Sequence, residues 1–174
     1  TVVNVLIVDQ SKQSGDTYIY EGLELNFDEQ LFNTITDAVE VATYDTLIYI
    51  DDGNYQESIV LDTTGISLIG IGEFVILETS ISVRADNITI SNLHFMNISN
   101  INNTNVDHYI PIDSLTFENN TIENISTVLP SFIWLNGVSN VQIINNTFLN
   151  LNGGAIDITD FTGLKTEIKH NIID

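Results

Sequence analysis

The 174-residue sequence contains no cysteine, which excludes disulfides and thiolate metal sites. It has four Lys or Arg residues against 24 Asp or Glu residues, so its net charge is −20. Because phosphate contacts from basic side chains dominate nucleic-acid affinity, this balance excludes a nucleic-acid partner and disfavours an anionic membrane surface. No apolar run approaches the roughly 18 residues that a membrane helix needs, so no membrane insertion is predicted.

What the sequence does contain is enough apolar residues for a core: 43% of the chain, with a mean hydropathy of +0.15. That composition argues against disorder, and the length fits one domain. The large negative charge favours solubility and resists random association, which suits an extracellular or cell-surface location. The chain begins at Thr1 with no signal peptide before it, which fits either a proteolytic boundary or a mature secreted chain.

Two series of short apolar segments recur at similar intervals. Each segment contains two apolar residues at positions i and i+2, which places both side chains on one face of a strand. The first series has steps of 22, 29, 23 and 23 residues and consists of Ile59/Leu61, Ile81/Val83, Ile110/Ile112, Ile133/Leu135 and Ile156/Ile158. The second has steps of 22, 27, 26 and 25 residues and is centred on Leu68, Ile90, Phe117, Ile143 and Ile168. The pattern predicts short strands and turns in repetition.

Asparagines fall in register with the second series. The aligned positions are Asn92, Asn119 and Asn145, and five residues later Asn97, Asn124 and Asn150. Asn tolerates the left-handed backbone of a sharp turn, and stacked Asn side chains can bond to one another, so we predict an asparagine ladder at these six positions. A parallel apolar column is predicted for Phe95, Ile122, Phe148 and Ile173.

A period of about 22–27 residues with several short strands per repeat is typical of a β-solenoid. A leucine-rich repeat would need a denser Leu pattern, and a sandwich would not keep asparagines in register. The segment Phe32–Ala42 differs: Ile35, Ala38, Val39 and Ala42 form a helical stripe. Thr34 and Asp37 form a capping pattern before it. We therefore predict a short helix that covers the first coil.

The opening of the chain resembles pectin-lyase-like β-helices. The matching segments are the initial strand Val5–Asp9, the helix Phe32–Ala42, Asp45–Val60 with its D-T-L-I-Y-I-D-D-G-N-Y-Q-E pattern, Ile66–Gly72, and Ala85–Leu93. The resemblance implies one all-β, right-handed parallel β-helix domain over residues 1–174. Residues 1–45 would form the opening strand and capping helix, and residues 46–174 about five coils. Enzymes, surface proteins and adhesins share this opening, so function does not follow from it.

The resemblance also allows catalysis to be weighed. Lyases of this family use a basic residue beside calcium, and the candidates here are Arg84, Lys12, Lys165 and Lys169. Hydrolases need paired carboxylates, for which Asp157 and Asp160 are the best pair. By strand alternation Asp157 faces outward, as does Arg84, and nothing places Arg84 beside an acidic cluster. We expect that the protein is not an enzyme and has no catalytic residues.

No cofactor or metal triad is predicted. Asp51 and Asp52 are typical of a turn, with a weak calcium site as the alternative. The histidines are isolated: His94, His108 and His170. Trp134 with Phe132 could present an aromatic platform to a sugar, although a single Trp in a strand more often packs partly buried.

Six Asn-X-Ser/Thr sequons occur, against roughly three to four expected by composition. Asn97 and Asn102 are the preferred candidates for N-glycosylation because they lie around the polar stretch 97–108, predicted as the longest insertion between coils. Asn87 and Asn124 are further candidates. Asn119 and Asn145 overlap the predicted ladder, where burial would block modification.

The segment Lys165–Asp174 begins another coil with no cap, so the C-terminal end is predicted to be open. Either the natural chain continues, or self-association covers this end, and head-to-tail contacts build a filament. A candidate inter-subunit strand consists of Val2, Val3, Val5 and Ile7; the alternative is that it joins its own first coil.

Three functions follow from these observations as expectations. The first is an extracellular structural or adhesive surface protein, glycosylated and assembling head-to-tail into a filament, with self-association and surface glycans as its partners. The second is a fragment of a polysaccharide lyase or hydrolase. The third is a carbohydrate-binding module that uses an exposed strand face.

Overall fold

The computed structural model describes residues 4–26, 29–97, 100–102, 104–105, 108–109, 111–126, 131–159 and 165–174. Within these ranges the chain is nearly all β, with one helix, Ile35–Val41. Most strands belong to three long parallel sheets. This architecture is consistent with an all-β parallel solenoid, as the repeat predicts.

Each sheet stacks strands from successive parts of the chain. In spatial order, sheet 1 contains Leu31–Phe32, Asn4–Val8, Thr46–Ile50, Ser67–Gly70, Ile88–Ser91, Leu115–Glu118, Gln142–Ile144 and Glu167–Lys169. Sheet 2 contains Gly53–Tyr55, Val75–Leu77, His94–Met96, Thr121–Glu123, Thr147–Leu149 and Ile172–Ile173. Sheet 3 contains Ile59–Leu61, Ser80–Val83, Asn100–Asn102, Ser131–Asn136 and Gly154–Thr159. Every pairing within these sheets is parallel.

From Thr46 onward the chain visits sheets 1, 2 and 3 in that order and then repeats the cycle. We call one such cycle a circuit. Circuits begin at Thr46, Ser67, Ile88, Leu115 and Gln142, and the strands from Glu167 belong to a further one. Because each circuit lies on the one before it, residues one circuit apart become neighbours.

The predicted second apolar series is confirmed as a column in sheet 1. Its members pair in register, and all but the last are buried: Leu68, Ile90, Phe117, Ile143 and Ile168. The column begins one circuit earlier than predicted, at the buried Ile48. The predicted parallel column of Phe95, Ile122, Phe148 and Ile173 is confirmed in the same way in sheet 2, where Leu77 precedes Phe95. Phe132 from sheet 3 packs between these columns, with ring centroids 5.3–6.2 Å from its neighbours. The interior of the stack therefore forms one continuous core.

The first series is wrong at one member. Ile101, rather than Ile110 or Ile112, lies in register between Ile81 and Ile133 in sheet 3. Ile112 pairs with Val138 in a separate two-stranded sheet of Ile112–Asp113 and Val138–Ser139, and Ile110 lies outside the described residues. The stretch 97–108 is therefore not wholly an insertion, because its segment Asn100–Asn102 is a strand of sheet 3. Ile101 points into the core, and the two asparagines point outward.

The helix Ile35–Val41 covers the start of the stack, as predicted. Its buried side chains are Ile35, Ala38 and Val39, and Thr34 caps it by accepting a hydrogen bond from the Asp37 N–H at 3.1 Å. A second cap comes from the first circuit. The Glu57 carboxylate accepts bonds from the N–H groups of Ile35 and Thr36 at 2.8 and 2.6 Å, which satisfies free donors at the positive end of the helix.

Two antiparallel hairpins leave the stack. Thr17–Tyr20 pairs with Leu23–Asn26, and Thr104–Asn105 pairs with His108–Tyr109. The first hairpin lies on the outer surface of sheet 1, where Leu25 packs with Ile7 and Leu31. At the edge of sheet 2, the Gln10 side chain replaces a strand: its amide donates to Asn54 O at 2.9 Å and accepts from Asn54 N at 3.0 Å.

Candidate functional site

The six asparagines of the predicted ladder occupy sharp turns with positive φ. Asn92, Asn119 and Asn145, between sheets 1 and 2, have φ of 57°, 55° and 57°. The turn after sheet 2 has φ of 62°, 54° and 52° at Asn97, Asn124 and Asn150. Few residues other than Gly and Asn adopt this left-handed backbone without cost, so the turns explain why asparagine recurs.

These six side chains are all exposed, however, and bond only weakly along the stack. Asn145 donates to Asn119 and Asn150 donates to Asn124, both at 3.4 Å. They therefore set the turn geometry and contribute little as a hydrogen-bonded ladder.

The buried ladder consists of the next residue of each turn: Asn120 and Asn146, which are buried, followed by Asn171, which is half-buried. The Asn146 Oδ1 accepts from the backbone N–H of Asn120 at 2.9 Å and from its side chain at 3.1 Å. The Asn146 Nδ2 donates to Phe117 O at 2.9 Å and to Asn171 Oδ1 at 3.0 Å. Asn120 and Asn171 repeat this arrangement with Ile90 O and Ile143 O.

This pattern corrects the predicted ladder. In a strand, successive side chains point alternately inward and outward. The left-handed residue at each turn interrupts this alternation, and the side chain that follows it points inward. Leu93, which follows Asn92 and is buried, occupies the same position one circuit earlier and was the signal available in the sequence.

The turns also account for most of the sequons. Asn87, Asn97, Asn119, Asn124 and Asn145 all have positive φ and exposed side chains. In the Asn-Asn-Thr sequons that begin at Asn119 and Asn145, the first Asn makes the turn, the second joins the buried ladder and the Thr begins a sheet 2 strand. Exposure leaves each of these five side chains accessible, including Asn119 and Asn145, for which the predicted ladder implies burial.

Asn102 differs from the other sequon residues. Its side chain is 9% exposed and donates to Asn100 Oδ1 at 2.7 Å, and Asn100 in turn donates to Ser80 Oγ at 2.8 Å. This network on the outer face of sheet 3 counts against Asn102 as a glycosylation acceptor in the folded protein.

The same face carries the one tryptophan. Trp134 is half-buried and lies in register between Asn102 and Asp157, one strand to each side. Phe132 is fully buried in the core, so the predicted platform of two aromatic rings is wrong. A single indole flanked by an amide and a carboxylate remains, which is a combination that can contact a sugar ring and its hydroxyls.

The candidate catalytic residues do not come together among the described residues. Arg84 donates to Ser82 Oγ at 3.2 Å. Lys165 and Lys169 both contact Glu167, and these contacts lower the pKa of that carboxyl. Lys12 lies 4.0 Å from Asp9. Asp157 is exposed on sheet 3, and Asp160 lies outside the described residues.

The other acidic and histidine residues make local contacts. Asp51 accepts from the Tyr18 hydroxyl at 2.7 Å, and Asp52 accepts from the Phe74 N–H at 2.6 Å. Within the described ranges no three His, Cys, Asp or Glu side chains are grouped closely enough to hold a metal ion. The His94 Nε2 lies 3.1 Å from Glu123 Oε1. His170 occupies the turn position equivalent to that of Asn145 in the next circuit, with φ of 56°. The side chain of His108 lies outside the described residues.

The candidate inter-subunit strand is engaged within its own chain. Val5 pairs with Leu47, and Ile7 pairs with Tyr49 on one side and Leu31 on the other. Ile7 is fully buried. The alternative named from the sequence, that this strand joins its own first coil, is what the structure shows; Val2 and Val3 lie outside the described residues.

Comparisons with known proteins do not extend these observations. No protein-family model matches the chain, and neither curated proteins nor solved structures give a significant match. In the described part of the chain, the single helix is far too short to be a membrane span.

Proposed function

We propose that the chain is a right-handed parallel β-helix of the pectin-lyase-like type that serves as a structural or adhesive protein on a cell surface. The order in which the chain visits the three sheets supports the β-helix. The resemblance of the opening segments supports the family. The right-handed sense is supported by the general rule that crossovers between parallel strands are almost always right-handed.

The observation that carries the structural role is the continuity of the interior from circuit to circuit. The apolar columns and the buried asparagines join each circuit to the next, as in other repeat folds, where neighbouring repeats stabilise one another. A body built in this way is stiff along its axis. With a net charge of −20 on its surface it stays soluble outside a cell while presenting long flat faces to other molecules.

Surface labelling of intact source cells tests the location. An antibody raised against the folded domain should label unpermeabilised cells, and external protease should remove the label. Label that appears only after permeabilisation would contradict the proposal. Release of reducing sugars or unsaturated products from acidic or neutral polysaccharides would favour the polysaccharide lyase or hydrolase instead.

Self-association through the ends of the stack is part of the proposal, with a filament as its extended form. Exposed isoleucines on the last described strands supply apolar surface there: Ile168, Ile172 and Ile173 are 51–62% exposed. Sedimentation velocity should give a mass that rises with protein concentration, and Ile172→Glu should abolish the rise. Ile19→Glu is the matched control, because Ile19 is exposed on the N-terminal hairpin. An equal effect of the two substitutions, or a mass that does not depend on protein concentration, would contradict self-association through the ends of the stack.

N-glycosylation at turn asparagines also belongs to the proposal. The accessible candidates are Asn87, Asn97, Asn119, Asn124 and Asn145. Intact mass of native material before and after enzymatic deglycosylation measures occupancy. An unchanged mass would show that these sites carry no glycan and would contradict this part of the proposal, although the proposed fold would be unaffected.

A carbohydrate-binding module is the second candidate, favoured by Trp134 between Asn102 and Asp157 on sheet 3. Trp134→Ala should then reduce retention on a glycan array, whereas Phe74→Ala, which alters an exposed ring on another turn, should leave it unchanged. Equal retention for the two variants would exclude Trp134 as a sugar contact.

A further inference from the structure

The chain contains the tripeptide Leu-Asn-Gly twice, at Leu135-Asn136-Gly137 and at Leu151-Asn152-Gly153. Asparagine followed by glycine is prone to spontaneous deamidation, because no Cβ hinders the glycine nitrogen from approaching the asparagine side chain. The residues around the two reacting groups are the same, so their intrinsic reactivity should be nearly equal. Any difference between them must come from the fold.

The fold restrains the first pair. Asn136 ends a strand of sheet 3 and pairs with Thr159 of the next circuit. The Gly137 N–H donates to Thr159 O at 2.8 Å. Its nitrogen therefore faces the neighbouring strand, and attack on the Asn136 side chain would first require this bond to break.

The second pair lies in an open bend between sheets 2 and 3. Asn152 and Gly153 are both exposed. The Asn152 N–H donates to Ile125 O at 2.9 Å, which anchors the bend on one side, but no residue in the described ranges accepts a bond from the Gly153 N–H. Gly153 has φ of 136°, a conformation open essentially to glycine alone.

We propose that Asn152 is a site of spontaneous deamidation in the folded protein and that Asn136 is protected. The Gly153 nitrogen attacks the Asn152 Cγ, forming an N–Cγ bond while the Cγ–Nδ2 bond breaks. Ammonia leaves with the proton from the glycine nitrogen, and a succinimide ring remains. Water then opens the ring: cleavage at Cγ gives aspartate, and cleavage at the main-chain carbonyl gives isoaspartate.

Each event adds one carboxylate to the surface and, in the isoaspartate product, one extra carbon to the main chain at the bend. Residue 152 lies just before the sheet 3 strand Gly154–Thr159, so the extra atom would disturb the approach to that strand. The modified protein would carry a charge of −21 and separate from the parent on anion exchange.

The test is incubation of the folded chain in mildly alkaline buffer, followed by peptide mass spectrometry of both tripeptides. Replacement of the amide by a carboxyl raises the peptide mass by about 1 Da. Asn152 should be modified about tenfold faster than Asn136, a factor within the net free energy of one hydrogen bond. In concentrated urea the two rates should converge, because the local sequences match.

Two variants complete the experiment. Asn152→Gln, which can form only a slower six-membered ring, should abolish the fast product, and Asn136→Gln should leave the rate at residue 152 unchanged. Equal rates at the two sites in the folded protein, a faster rate at Asn136, or modification of Asn152 only in urea would each overturn the proposal.

Discussion

Replacement of Asn146 by alanine should be among the most damaging single substitutions in the chain. This side chain is fully buried and makes four hydrogen bonds, two through its oxygen and two through its nitrogen. After Asn146→Ala, the Asn120 side chain keeps its bond to Ile90 O, and Asn171 Oδ1 keeps its bond from the main chain of residue 146. The group left without a partner is the Asn120 N–H, while the Phe117 C=O loses the bond from Asn146 but stays within a paired strand of sheet 1.

The Asn120 N–H sets the magnitude. A buried donor that loses its partner costs about 1–3 kcal/mol, so Asn146→Ala should lower the free energy of unfolding by at least about 1–3 kcal/mol. This is a substantial part of the stability of a typical domain, since the total is only about 5–15 kcal/mol. Urea unfolding followed by circular dichroism measures the change, with the slope of the transition compared between variants.

The neighbouring residue supplies the control. Asn145 is exposed and has φ of 57°, and its side chain makes one bond, at 3.4 Å. Asn145→Gly keeps the turn conformation, so its cost should stay within about 0.5 kcal/mol. If Asn146→Ala shifted stability by less than about 1 kcal/mol, or if Asn145→Gly cost as much, the buried ladder would not hold the circuits together as argued.

Two further predictions concern the N-terminal end of the stack. Glu57→Ala should destabilise the protein by about 2 kcal/mol in thermal unfolding, because two helix N–H groups lose a charged acceptor, whereas Glu73→Ala at an exposed turn should have little effect. Burial and the hydrogen bond to Asp51 raise the pKa of Tyr18 from 10.0 to about 12. The folded state thus favours the neutral phenol, and this contribution should be complete below about pH 10 and disappear as the pH rises through about 12. Urea unfolding across that range should show a weaker pH dependence for Tyr18→Phe, and equal dependence would contradict the assignment.

The sequence was sufficient to predict the regular part of this fold. Successive apolar side chains from Leu68 to Ile168 recur at nearly equal intervals, and the structure places them in one column. The helix was predictable from its stripe and from the Thr34 cap. Both signals are patterns of spacing along the chain, one within a single segment and one from repeat to repeat, so neither requires knowledge of the contacts between circuits.

The parts that failed depend on contacts between circuits. Asn100–Asn102 resembles a turn in composition, and only its pairing with Ser80–Val83 and its bond to Ser80 make it a strand. Which member of an Asn-Asn pair is buried depends on the left-handed backbone of the first asparagine, which turns the side chain of the second one inward. Composition alone does not reveal this conformation. The role of Glu57 in capping a helix more than twenty residues earlier has no local signal at all.

The buried asparagines also bear on how the length of such a protein can change in evolution. Asn120 and Asn146 lie in equivalent places of successive circuits, and each satisfies its neighbour in the same way. A genetic exchange that joins the codon for one to the codon for the other removes or duplicates a whole circuit and leaves every hydrogen bond at the junction with a partner. Unequal recombination at these codons would therefore lengthen or shorten the molecule in whole steps, whereas insertions elsewhere would have to be accommodated in the turns.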